Sequence, residues 1–118
     1  MPVQWIQYAG KKILYADFTG VIKAEDLLRA IDEMEREIKF SPGKLLILQN
    51  FTDAYINSRA MEREKEIGKA HAAKVVKSAF LGIIGVKKIL LSVLNRATEI
   101  SGMAFETKEE ALKYLVGR

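Results

Sequence analysis

With no cysteine and a single histidine, any chemistry in this chain must rest on carboxylates, hydroxyls, amides and cations. These gather at few places. Asn50, Thr52 and Asp53 close one apolar run, Gly82 and Gly85 close another, and Lys87 and Lys88 follow the second glycine. Asn50 and Asp53 could accept hydrogen bonds from a ligand, or could fold their side chains back onto the local backbone as turn residues. Gly82-x-x-Gly85 ahead of a lysine-bearing helix could bind an anion, since free N–H groups and the helix dipole concentrate positive potential there. The same glycines could instead permit a turn and close packing, with both lysines on a solvated face. The spacing is neither the G-x-G-x-x-G fingerprint nor a P-loop. Ser58 or Asn57 suits a helix N-cap. His71 would need partners to act as base or metal ligand, and Glu64 and Ile67 precede it on the same helix; a partly packed ring is the plainer reading. No pair of acids is placed to flank a substrate, so catalysis, a metal and a cofactor are not expected.

These residues are carried by a regular alternation of elements. Residues 4–8 and 13–18 alternate in hydropathy as two strands, and Gly10-Lys11 fits a two-residue type II′ loop between them. Residues 25–39 place Leu27, Leu28, Ile31, Met34 and Ile38 on one helical face and charges on the other. Ser41-Pro42-Gly43 ends that helix. Residues 44–51 form an unbroken apolar run that suits a central strand covered on both faces. Residues 58–74 read as a helix whose inner stripe contains Glu64 and His71. Residues 76–84 are another buried run, followed by a helix from Val86, and residues 103–105 form a short last strand. Thr107 to Glu110 has the form of a capping box before a final helix docked by Ala111, Leu112 and Leu115. The predicted order is β-β-α-β-α-β-α-β-α, an α/β domain with a mixed, mostly parallel five-stranded sheet and four helices. In such sheets ligands bind beyond the carboxyl ends of the strands, where Asn50, Thr52, Asp53, Gly82 and Gly85 fall.

The 118 residues suffice for one domain, and 49% hydrophobic with 29% charged residues describes a chain able to bury a core. The absence of cysteine excludes disulfides, and the first residues lack the pattern of a secretory signal, so a cytoplasmic protein is expected. The most apolar window, residues 79–94, is interrupted by Lys87 and Lys88 and falls short of the roughly 20 apolar residues of a bilayer span. Charge is unevenly placed. Residues 1–59 carry 8 basic and 8 acidic side chains, residues 60–118 carry 11 and 7, and between Glu66 and Glu99 every charge is positive. A basic surface is therefore expected from Lys69, Lys74, Lys77, Lys87, Lys88 and Arg96. Nucleic acid is not the expected partner, because the aromatics do not interleave with these cations. Trp5, Tyr8, Tyr15 and Phe18 gather in the hairpin, either as core cover or as an edge for self-association, so a homodimer is an open expectation, with Lys11 and Lys12 as charges that could blunt that edge.

The strings ILYADFTG (13–20), KLLILQNFTD (44–53), AFLGIIGVKKIL (79–90) and FETKEEALKYL (105–115) span nearly the whole chain. In combination they resemble the SpoIIAA-like group of the STAS and SEC14-like (CRAL-TRIO-related) superfamily. The resemblance implies a small α/β domain, no common cofactor, and binding rather than catalysis. Anti-anti-sigma members carry Asp-Ser-(Ser or Ala)-Gly after the strand matching residues 45–51, and its serine is phosphorylated to switch partner binding. Residues 50–58 contain neither the Asp-Ser pair nor the glycine; by position Ser58 is the nearest candidate phosphoacceptor, with Thr52 a second. SEC14-like members bind lipids or other apolar ligands, but this chain lacks the long gating helix. The expectation is a non-enzymatic binding or regulatory module. It would engage a protein or anionic partner through Asn50, Thr52, Asp53, Ser58, Gly82, Gly85, Lys87 and Lys88. The alternative is a small-molecule or lipid carrier with a pocket between sheet and helices, lined by Met61, Phe80 and Leu94.

Overall fold

The computed structural model describes residues 2–97 and 102–117. Strands β1 (Val3–Tyr8) and β2 (Lys11–Asp17) are followed by helix α1 (Ala24–Phe40), β3 (Leu45–Asn50), α2 (Ser58–Ala70), β4 (Val75–Leu81), α3 (Val86–Ala97), β5 (Gly102–Phe105) and α4 (Lys108–Val116). The sheet order is β1-β2-β3-β4-β5, with β1 antiparallel to β2 and every other pair parallel. The expected element order, the five strands and the four helices are all present.

Each parallel strand sits beside its predecessor, so crossovers of one hand, stepping one way across the sheet, deliver their helices to one face. Leu27, Ile31, Met34 and Ile38 of α1, Ala60 and Ile67 of α2 and Leu91 of α3 therefore share a core with Leu14, Ala16, Ile47 and Phe80. The opposite face is closed by α4 alone, whose Ala111, Leu112 and Leu115 pack on Ile13, Tyr15, Leu48, Ala79 and Leu81. Both faces of β3 are thus covered, which explains its unbroken apolar run: Leu45 and Ile47 look to one side, Leu46 and Leu48 to the other.

Two local details depart from the sequence reading and a third agrees with it. The hairpin loop is Ala9-Gly10 rather than Gly10-Lys11, with Tyr8 paired to Lys11. Both loop residues have positive φ (50° and 79°), as in the type I′ turn whose twist matches its flanking strands. Hydropathy alternation permits either loop, so only the backbone twist distinguishes them. Helix α2 stops at Ala70 rather than at Lys74, because the carbonyl of Lys74 already accepts from Leu45 N (2.8 Å) at the entry to β4. At the start of α4 the capping box forms as expected, with Thr107 and Glu110 each bonding the other's backbone N–H.

Candidate functional site

The carboxyl ends of β2 and β3 lie in register, Asp17 opposite Asn50, and both strands end in the same local sequence, Asx-Phe-Thr. In each, the Asx oxygen turns back onto the threonine two residues on. Asp17 Oδ1 accepts from Thr19 N (3.1 Å) and Thr19 Oγ1 (2.5 Å); Asn50 Oδ1 accepts from Thr52 N (3.1 Å) and Thr52 Oγ1 (2.6 Å). The next residue in each has positive φ, Gly20 at 73° and Asp53 at 57°. In such a turn the side chain replaces a backbone acceptor. The intervening phenylalanines point inward and are fully buried, their ring centroids 4.9 Å apart, with Phe80 6.1 Å beyond Phe51. The two turns are tied by Gly20 N donating to Thr52 O (3.0 Å). The doubled string was legible in the sequence, but only the register shows that its copies are neighbours.

Asn50 also donates through Nδ2 to the hydroxyl of Tyr15 (3.1 Å), so both ends of its amide are engaged within the fold. Burial raises the pKa of that phenol; the Asn50 hydrogen bond opposes the rise and the charge of Asp17 adds to it. Gly82 is required by the backbone, since a Cβ there would lie 2.3 Å from Thr52 N and its φ is +77°. Gly85 needs only its positive φ of 61°, with open space around it. Lys87 does not reach solvent as a free cation. Its Nζ donates to the carbonyls of Phe51 (2.9 Å) and Gly82 (3.4 Å), clamping the ends of β3 and β4. Lys88 is exposed. Ser58 is exposed in the first turn of α2, and Asn57 is the cap, its Oδ1 accepting from Ala60 N (2.9 Å). Beside these polar residues the three adjoining loops present apolar ones: Ile22 (71% exposed), Tyr55 (52%) and Ile84 (71%). Tyr55 N bonds Val21 O (2.9 Å), which holds two of the loops side by side. The sequence reading did not single out this trio, since exposure of isolated apolar residues has no sequence signal.

The expected basic surface is dispersed. Lys74 Nζ donates to the carbonyls of Ile38 (2.8 Å), Lys39 (3.1 Å) and Ser41 (2.7 Å), closing the end of α1. Lys77 Nζ does the same for α4 at Tyr114 O and Gly117 O (both 3.0 Å) on the other face of the sheet. The carbonyls left over at a helix end carry partial negative charge, and an ammonium there satisfies them. With Lys87, three of the six cations between Glu66 and Glu99 thus serve the fold.

A second polar site lies inside, between the sheet and α2. Gln49 and Glu64 are each 4% exposed, and Gln49 Nε2 donates to Glu64 Oε1 (3.2 Å). The remaining oxygens, Gln49 Oε1 and Glu64 Oε2, have no partner among the described residues. Burial pushes the carboxyl pKa up to about 7, against the lowering effects of the Gln49 hydrogen bond and the Arg63 charge. A cavity of about 40 Å³ adjoins the pair, walled largely by Ile38, Ile47, Ile67 and Phe80 and reached also by Ser78. Of the expected pocket residues, Phe80 lines it, Met61 is half-buried outside its lining, and the side chain of Leu94 falls outside the described residues. The sequence reading does not single out this pair; the signals that could have found it are a glutamate in the inner stripe of α2 and a glutamine at the end of an aliphatic run.

His71 takes no part in that site. It caps the end of α2 and its Nε2 meets Glu35 Oε2 of α1 at 3.0 Å, rather than Glu64. Arg63 bonds Glu35 as well and reaches Asp32 (2.8 Å), joining the two helices. Burial alone would raise the pKa of Glu35, but hydrogen bonds from His71 and Arg63 and the Arg63 charge bring it below its ordinary value. Among the described residues no group of three or more His, Cys, Asp or Glu is placed to hold a metal ion, and no helix is long and apolar enough to cross a membrane.

The architecture superposes on a solved structure from Shewanella loihica PV-4, an uncharacterized protein of the DUF3478 family with a SpoIIAA-like fold. The TM-score is 0.70, over 96% of this chain and 91% of that one, at 19% sequence identity. The chain has a SpoIIAA-like fold. Neither a protein-family model nor a curated protein matches the sequence. In this SpoIIAA-like domain β3 runs into the Asn50-Phe51-Thr52 turn, and Ser58 follows on α2.

Proposed function

We propose that this domain is a non-enzymatic binding module that engages a protein partner through the loops at the carboxyl edge of its sheet. The observation that carries this reading is the pairing of a fixed base with an exposed apolar surface. The doubled Asx-Phe-Thr turns, the buried Phe18–Phe51 pair and the Lys87 clamp hold the loops, while Ile22, Tyr55 and Ile84 remain open to solvent. Fixed loops lose little conformational freedom on association, and aromatic and aliphatic side chains at the centre of an interface carry most of its energy. Thr52, Asp53 and Ser58, all exposed, would form the polar rim. A protein is favoured over a simple anion because Lys87 is committed to backbone carbonyls. Ser58 is where a phosphate could modulate the surface, at the positive end of α2 and next to Arg59.

The test is affinity capture from the source cells with three forms of the protein. The wild type is compared with the combined Ile22→Ser, Tyr55→Ser and Ile84→Ser variant and with Phe40→Ser, which removes an exposed apolar residue at the opposite edge of the sheet. A stoichiometric partner kept by the wild type and by Phe40→Ser but lost from the triple variant is the expected result. A partner lost from neither variant, or from both, would overturn the assignment.

A further inference from the structure

We propose that the cavity beneath α2 is a binding site for a small primary ammonium group, held by the side-chain oxygens of Glu64 and Gln49. Buried polar atoms in folded proteins almost always have partners, so two orphans side by side point to a missing component. With Glu64 ionised, both orphans are acceptors. Because Gln49 Nε2 is spent on Glu64 Oε1, the other end of the amide is an oxygen, and the second carboxyl oxygen of Glu64 is also without a partner among the described residues. The missing component is therefore a donor, and more than one N–H is required to serve both.

The charge and size of the site narrow the class. A carboxyl this deeply buried either keeps its proton or takes a countercharge, and its neighbour in sequence, Arg63, is already bonded to Asp32 and Glu35. The raised pKa of Glu64 means that, near neutrality, a cation entering the cavity would draw the carboxyl into its charged form. The walls are mostly aliphatic and aromatic; of the other polar side chains there, Asn95 already bonds both backbone groups of Gly102 and Ser78 offers one hydroxyl, so no further ring of oxygens is available for a hard metal ion. A volume of about 40 Å³ admits a head of a few non-hydrogen atoms, and a quaternary ammonium, which has no N–H, could not satisfy either acceptor. Ser78, 6% exposed and on the adjoining strand, supplies a hydroxyl at the same wall. Water, which could also donate twice, is the competing occupant; it would leave Glu64 in its neutral, protonated form, whereas an ammonium would hold it ionised.

The experiment is a titration of the full chain at pH 8 with methylammonium chloride, followed by the NMR signals of the Gln49 side-chain amide and of the Glu64 and Ser78 backbone amides. Sodium chloride at matched ionic strength, methanol and tetramethylammonium serve as the comparison titrants. Saturable shifts confined to this site are expected with methylammonium alone, with Kd in the millimolar range, about the ceiling for a two-atom probe. Glu64→Gln should weaken binding at least tenfold and Gln49→Met several-fold, while the exposed Lys88→Ala should leave it unchanged. If either cavity variant fails to fold, the other together with the methanol comparison decides the matter. Equal shifts with methanol, undiminished binding by Glu64→Gln or Gln49→Met, or no saturable shift would overturn the proposal in favour of a water-filled cavity.

Discussion

The edge of the sheet and the space beneath α2 treat polar side chains in opposite ways. At the edge, Asp17, Asn50, Thr19, Thr52 and Lys87 all find partners within the chain, and most of those partners are a few residues away or on the next strand. Beneath α2, Gln49 and Glu64 find only one another among the described residues and leave an oxygen each without a donor there. A polar residue whose bonds are all internal builds structure, whereas a buried one left short costs stability and is retained where something else uses it. On this contrast the edge offers rigidity and surface, and the interior offers an unfilled chemical demand.

The largest effects should come from breaking the base of the edge. Phe51→Ala, removing a fully buried ring between Phe18 and Phe80, should cost about 3–5 kcal/mol in chemical denaturation. Gly82→Ala should cost about 3 kcal/mol, because it combines positive φ with a backbone contact against Thr52; a loss below about 1 kcal/mol would show that the loops can move apart.

The interior should respond with the opposite sign. The folded-state pKa of Glu64, about 7, lies above the ordinary value near 4.5, so the folded protein binds more protons than the unfolded chain between those values. Stability from this group is then full below about pH 4.5 and falls as pH rises to about 7, by up to ~3 kcal/mol. Glu64→Gln should flatten that part of the profile and make the protein more stable than wild type at pH 8. An unchanged pH profile of denaturant midpoints would mean that Glu64 is solvated or already paired.

Two smaller effects sharpen the comparison. Lys74→Met leaves three carbonyls at the end of α1 without their ammonium and should cost about 1–3 kcal/mol, seen as a lower thermal midpoint. Thr19→Val and Thr52→Val each remove one exposed hydroxyl bond and should cost about 1 kcal/mol or less. Loss of several kcal/mol in either would show that the doubled turns, and not the phenylalanines beneath them, hold the edge.

Most of the fold could be read before the structure, because its signals are local. The stripe of α1, the aliphatic run of β3 and the capping box at Thr107 each need only neighbours in sequence to be recognised. The candidate site was legible in position and not in chemistry. Asn50, Thr52, Asp53, Gly82 and Lys87 do meet at one edge, but the bonds of Asn50 to Tyr15 and of Lys87 to the carbonyl of Phe51, and the approach of Gly82 to the backbone of Thr52, join segments about thirty or more residues apart in sequence. For the same reason the acid-free segment looked like one basic surface, although Lys74 and Lys77 lie on different faces of the sheet, each at the end of a different helix.

The sequence by itself determined the elements, their order and the parallel character of the sheet, since hydropathy period, glycine and proline breaks and caps act over a few residues. Only the tertiary structure decided which polar groups are free. Whether Lys87 can meet a ligand, or Glu64 a donor, is settled by what the fold brings within about 3 Å of them, and hydrogen bonding falls away too steeply with distance for sequence spacing to report it.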